Sequence, residues 1–157
     1  VIDGMSKSHS MTGWRLGWIV APAAFEAKLG QLTEFNTSCT AGFVQEAGIA
    51  ALGDGEEEIA SLLSKIQAGY EITAERLNTF SRVEFIEPDG AFYCFFRVDG
   101  LTDSFAAAGE ILEQTKVGLA PGVAFGPQGE GYLRLCYAQP ADVLEEAFVR
   151  LEPFLSK

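Results

Sequence analysis

Ser6-Lys7-Ser8-His9-Ser10-Met11-Thr12-Gly13-Trp14-Arg15-Leu16-Gly17-Trp18 sets one lysine and, eight residues on, one arginine among small, hydroxyl-bearing and aromatic residues. A lysine amine attacks a carbonyl only when neutral, so a Schiff-base lysine needs burial or nearby cations to lower its pKa. An arginine offers a planar fork of donors that matches phosphate oxygens in pairs. Serine hydroxyls add donors, and Gly13 and Gly17 loosen the backbone for close approach. Taken singly, Lys7 reads as a solvated side chain and Arg15 as half of a surface ion pair, with Trp14 and Trp18 in the core. The information lies in the whole string.

Composition bounds the rest. A chain of 157 residues has room for one domain, or for one and part of another. Its 48% hydrophobic and 21% charged residues are ordinary for a globular protein. The net charge of −11 is uneven: residues 1–53 hold three basic and four acidic side chains, residues 54–157 eight and eighteen. So acidic a surface argues against nucleic acid or an anionic membrane as partner. Cys39, Cys94 and Cys136 are widely spaced, form no C-x-x-C pair, and with one histidine cannot complete a zinc site. Buried free thiols in a reducing cytoplasm are the expectation. No metal site is expected. Within these residues nothing reads as a signal peptide, and no apolar run approaches the length of a membrane span. Val1 stands where a methionine would open a gene product, and the lysine string follows at once; the expectation is the C-terminal part of a longer chain.

Along the chain, Val1 to Asp3 reads as the end of a buried strand, and Arg15 to Ala21 as a second buried strand. Pro22 is placed to open a helix running to about Thr33, followed by a polar connection from Phe35 to Thr40. Ala41 to Leu52 reads as a helix of small residues. Glu56-Glu57-Glu58 opens a long helix with acid at its positive end, and Ile59, Leu62, Leu63, Ile66, Tyr70, Leu77 and Phe80 form its apolar stripe, with Thr73 in register. Arg82–Ile86 and Ala91–Val98 are strands joined by the turn Glu87-Pro88-Asp89-Gly90. A helix from Asp103 to about Lys116 is capped by Thr102 or Asp103, and Val117–Ala120 is a short strand. In Gly131–Ala138, Leu133, Leu135 and Tyr137 face one way and Tyr132, Arg134 and Cys136 the other. An arginine between apolar neighbours on a strand needs an anionic partner, either a protein carboxylate or a ligand's. Leu144, Ala147, Phe148, Leu151 and Leu155 mark a closing amphipathic helix.

The lysine string resembles the signature of the class I aminotransferases, the aspartate and aromatic aminotransferase type of enzyme dependent on pyridoxal 5'-phosphate (PLP). The resemblance extends over the chain. Pro88-Asp89-Gly90-Ala91-Phe92-Tyr93 is similar to the turn and strand that open the family's small domain. Pro121-Gly122-Val123-Ala124-Phe125-Gly126 looks like the loop over the substrate. Tyr132-Leu133-Arg134-Leu135-Cys136-Tyr137-Ala138 resembles the strand whose arginine binds the substrate α-carboxylate. Many members carry a serine three residues before the lysine; here that position is Gly4, and Ser6 is the hydroxyl candidate beside Lys7.

The resemblance implies an α/β fold: residues 1–55 the C-terminal part of a large PLP-binding domain, residues 56–157 a small domain of helices on a short mixed sheet. It implies Lys7 as the catalytic residue in a Schiff base with PLP, Arg15 and Ser6 as further cofactor contacts, and Arg134 as the substrate contact. His9 is not expected to be catalytic, because the lysine already fills the acid–base role. The implied reaction moves an amino group between an amino acid, aromatic or diaminopimelate-type, and a 2-oxo acid, in a cytoplasmic homodimer. The groups that tune the cofactor ring belong to the family's upstream half, so the chain by itself is expected to be inactive. Two rivals are a PLP-dependent C–S lyase on the same scaffold and a folded remnant without catalysis.

Overall fold

The computed structural model describes residues 1–156, and the chain divides into two compact units, Val1–Leu63 and Ser64–Lys157. In the first, β1 (Ile2–Gly4) leads into a single helical turn, α1 (Met5–Ser8), then a 3-10 turn (Thr12–Trp14) and β2 (Gly17–Ile19). β1 and β2 pair antiparallel, Ile2 opposite Ile19, Asp3 opposite Trp18 and Gly4 opposite Gly17. Ile2, Ile19 and Val20 stand open to solvent, the sheet neighbours expected for these strands lying outside the described residues. A second turn, Ala23–Phe25, takes the first-helical place expected of Pro22, which lies just before it in an extended conformation. α2 (Glu26–Thr37) then runs about a turn beyond the expected end. In the extra turn Thr33 Oγ1 donates to Leu29 O at 2.9 Å and Thr37 Oγ1 to Thr33 O at 3.4 Å, bonds that a helix tolerates. Ser38, at φ 62°, stops it. α3 (Gly42–Asp54) follows the expected small-residue pattern.

α4 (Glu56–Thr79) buries Thr73 and Leu77 of the predicted stripe and half-buries Ile59, Leu62, Ile66 and Tyr70, while Leu63 is exposed and Phe80 lies just past its end. Beyond it the second unit folds as a four-stranded sheet in the order β3 (Val83–Phe85), β4 (Tyr93–Val98), β6 (Tyr132–Cys136), β5 (Ala120–Pro121). Every pairing is antiparallel, so the mixed sheet expected from sequence is not what forms. β5 is also shorter and later than expected, because Val117 to Leu119 do not pair. α5 (Ser104–Thr115) is capped by Asp103, whose Oδ1 accepts from Ala106 N at 2.9 Å, and ends at Lys116 with φ 61°. α6 (Ala141–Leu155) buries the predicted Leu144, Phe148, Leu151 and Leu155.

The core lies on one face of this sheet. Cys94, Phe96 and Val98 of β4 and Leu133 and Leu135 of β6 pack with Leu77 of α4, Ile111 of α5 and the buried stripe of α6. Each such leucine or phenylalanine contributes about 1.5–3 kcal/mol when fully buried. The same burial pushes the Cys94 thiol up to about 12. Cys136 is half-buried and Cys39 exposed, so the expectation of three buried thiols holds only for Cys94. The first unit is poorer, its buried apolar side chains being Met5, Met11 and Val44. No helix among the described residues is long and apolar enough to cross a membrane.

Thr73 sits in this core with no exposure, and its Oγ1 has no hydrogen-bond partner among the described residues. An unpaired buried hydroxyl costs more than a methyl of the same shape. Thr73→Val is therefore expected to raise the unfolding free energy by about 1 kcal/mol, read from urea midpoints at unchanged m. A destabilised variant would show that the hydroxyl is bonded in solution.

Candidate functional site

The lysine turn is built on two methionines. Met5 and Met11 are buried, and α3 admits Met5 and Leu16 because Gly48 has no side chain: a Cβ there would collide with Leu16 and lie 3.6 Å from the Met5 thioether. Met5 N donates to Leu16 O at 3.1 Å, which ties the start of α1 to the residue after Arg15. Between these anchors the backbone turns twice through left-handed conformations, at Ser10 (φ 54°) and Arg15 (φ 53°). Such φ values in non-glycine residues carry strain, which the surrounding bonds must hold.

The outcome is a turn with its apolar side chains inside and its charged ones outside. Lys7 is exposed, and its Nζ enters no hydrogen bond or ion pair among the described residues. Arg15 is exposed too, with Nη1 donating to Thr12 O at 3.1 Å and no carboxylate on its fork. Ser6, just before Lys7, is half-buried, and Trp14 is 45% exposed rather than part of the core. Ser8 Oγ bonds His9 Nδ1 at 2.8 Å, a local bond that ties His9 to the turn. At Gly4 a Cβ would stand 2.9 Å from Leu16 O, so the tight approach of β1 to the chain entering β2 favours glycine there. An unpaired amine on α1 and, eight residues on, a guanidinium that spends one donor on Thr12 O and meets no carboxylate suit a phosphate-bearing carbonyl compound, so the residues present fit PLP.

Arg134 lies in the second unit, on β6, opposite Phe95 of β4 and Ala120 of β5. It faces away from the core, as the alternation predicts. The open question of its partner receives an answer: no hydrogen bond or ion pair among the described residues involves its guanidinium. The other arginines are engaged. Arg76 pairs with Glu145, Arg150 with Glu146 and Arg97 with Glu84, while Arg82 donates to Asp99 O and Arg15 to Thr12 O. What surrounds Arg134 is aromatic, its Cζ lying 4.2 Å from the ring centroids of both Tyr93 and Phe125.

Phe125 is brought there by a pinned loop. The 3-10 turns Gly122–Phe125 and Pro127–Gly129 touch through their glycines, where a Cβ at Gly122 would overlap Gly129 O. Glu130 Oε1 accepts from Gly131 N at 2.9 Å and Ser104 N at 2.6 Å, and Ser104 Oγ accepts from Val123 N at 3.2 Å. Those backbone donors, Gly131's first, hold the Glu130 carboxyl below the usual range. The aromatic surroundings of Arg134 were not read from sequence; the usable signal was the place of Tyr93 on the same strand face as Phe95.

Comparison with known proteins follows the same line. The family model for aminotransferase class I and II matches residues 1–151. A Bacillus subtilis (strain 168) protein named "Probable N-acetyl-LL-diaminopimelate aminotransferase" is 36% identical over 100% of this chain and 40% of its own length. An aspartate aminotransferase of Thermotoga maritima is 37% identical, over 99% of this chain and 39% of its own. The crystal structure of an aromatic aminotransferase from Pyrococcus horikoshii OT3 superposes with a TM-score of 0.92 at 33% identity, covering 98% of this chain and 42% of that one. The chain thus spans about 40% of the length of the relatives it matches.

Proposed function

The chain belongs to the aminotransferase class I and II family, and from that premise we propose that the full-length protein moves an amino group between an amino acid and a 2-oxo acid with PLP. The observation that carries this reading is the joint display of Lys7 and Arg15 on one turn, neither held by a protein carboxylate. In it, residues 1–55 belong to the large domain and residues 56–157 form the small one.

Lys7 Nζ would hold the cofactor's carbonyl group and would move the proton at the substrate Cα. Arg15 takes the cofactor phosphate with its fork, and Ser6 adds a hydroxyl beside the lysine. PLP, when bound, supplies the electron sink for the departing proton's electron pair. Arg134 takes the substrate carboxylate and so fixes the direction of the Cα–H bond, converting binding into orientation. The relatives' names favour aspartate, aromatic or diaminopimelate-type amino acids as substrates, and the full-length protein is read as a homodimer in the cytoplasm.

Borohydride reduction of the full-length protein with PLP, followed by peptide mapping, is the test. The pyridoxyl group is expected on Lys7. Label on Lys28 or Lys65 instead would end this reading.

A further inference from the structure

We propose that Tyr93 and Phe125 are positioning residues that hold the Arg134 guanidinium ready for a carboxylate, doing by ring faces what a protein carboxylate does for other arginines. The inference rests on the reading of Arg134 as the carboxylate-binding group.

The Arg134 Cζ lies 4.2 Å from the Tyr93 centroid and 4.2 Å from that of Phe125, well within the reach of a cation–π contact. A protein carboxylate in the same place would occupy the fork that the substrate needs. An aromatic face instead leaves the N–H donors free while still restraining the plane. The rings are themselves held. Phe95, across the β4–β6 ladder from Arg134, stacks on Tyr132 with centroids 4.9 Å apart and planes 3° from parallel, and meets Phe125 edge-on at 5.9 Å and 87°. Tyr93 is fixed on β4 opposite Cys136, two residues beyond Arg134. Phe125 arrives from the loop that Glu130 and Ser104 pin. It is 51% exposed, too open for its role to be core packing alone.

The experiment uses the full-length protein with PLP and compares Phe125→Leu, Phe125→Tyr, Tyr93→Leu and Arg134→Ala, together with the Phe125→Leu/Arg134→Ala double variant. Phe125→Leu keeps the apolar bulk and removes the ring. It is expected to raise KM for the amino acid about five- to tenfold, the scale of one partly desolvated cation–π contact, with kcat little changed and thermal melting preserved. Tyr93→Leu should act in the same direction, and Phe125→Tyr, which keeps a ring face, should restore KM. In the Arg134→Ala background Phe125→Leu should have no further effect on KM, since there is no guanidinium left to hold. A readout independent of turnover is the Arg134 Nε–H proton resonance of the 157-residue chain, expected upfield from ring currents and moved downfield by Phe125→Leu.

An unchanged KM in Phe125→Leu, beside a large rise in Arg134→Ala, would overturn the positioning role and leave the carboxylate reading standing. An unchanged KM in Arg134→Ala would overturn the carboxylate reading itself, and the inference with it.

Discussion

Lys7→Ala in the full-length protein is expected to lower kcat for amino-group transfer by about three to four tenfold steps, the range that a positioned acid–base group supplies. The amine has two tasks in the proposed mechanism, holding the cofactor and moving the Cα proton, and alanine performs neither. The structure makes the variant clean. Lys7 is exposed on α1, makes no bond through Nζ among the described residues, and sits beside Met5, whose burial anchors the turn. Alanine also favours the helical turn, so the melting temperature should hold. Stopped-flow turnover with an amino acid donor, read beside calorimetric melting, checks both halves. Retention of more than a tenth of kcat would take the proton transfer away from Lys7.

Gly69→Ala is expected to destabilise the second unit by about 2–3 kcal/mol, although alanine is the better helix former by about 1 kcal/mol. The reason is where α4 crosses the end of β6. A Cβ at position 69 would overlap the Tyr137 carbonyl oxygen and come within 3.3 Å of Leu144 Cδ1. Backbone cannot swing aside as a long side chain can, so the helix or the strand must move. Tyr137 is held in turn: its N–H donates to Phe92 O at 3.0 Å, its hydroxyl to Ala91 O at 3.1 Å, and its ring meets Tyr70 edge-on. Displacement would travel along β6 toward Arg134, three residues away. Chemical denaturation of the 157-residue chain should show a lower midpoint, and an unchanged one would mean that α4 and β6 lie further apart in solution.

Helix content was legible because its signal is local. The stripe on α4 and the Leu144, Phe148, Leu151 and Leu155 face of α6 repeat every 3.6 residues and need no partner to be read. The alternation on β6 likewise put Arg134 on the face opposite Leu133 and Leu135. Less was legible where side chains answered to neighbours distant in sequence. β1 and β2 read as strands of a buried sheet because they are apolar, yet among the described residues they pair only with each other and stay exposed. The antiparallel sheet was missed because strand direction is a property of the pair and not of either strand.

The candidate site divides in the same way. Residue order alone puts Lys7 and Arg15 in one short string and Arg134 mid-strand, where a charge needs a counterpart. How they are displayed depends on packing between distant segments. Met5 and Leu16 pack on α3 at a glycine while the lysine and arginine stay outward, and that packing joins residues more than thirty apart. Arg134 meets Tyr93 and Phe125 because the β4–β6 register and the Glu130–Ser104 bonds bring three separate segments to one place. A periodicity of 2 or 3.6 fixes which face a side chain takes, whereas the group it meets there depends on chain closure over tens of residues, to which no local pattern is sensitive.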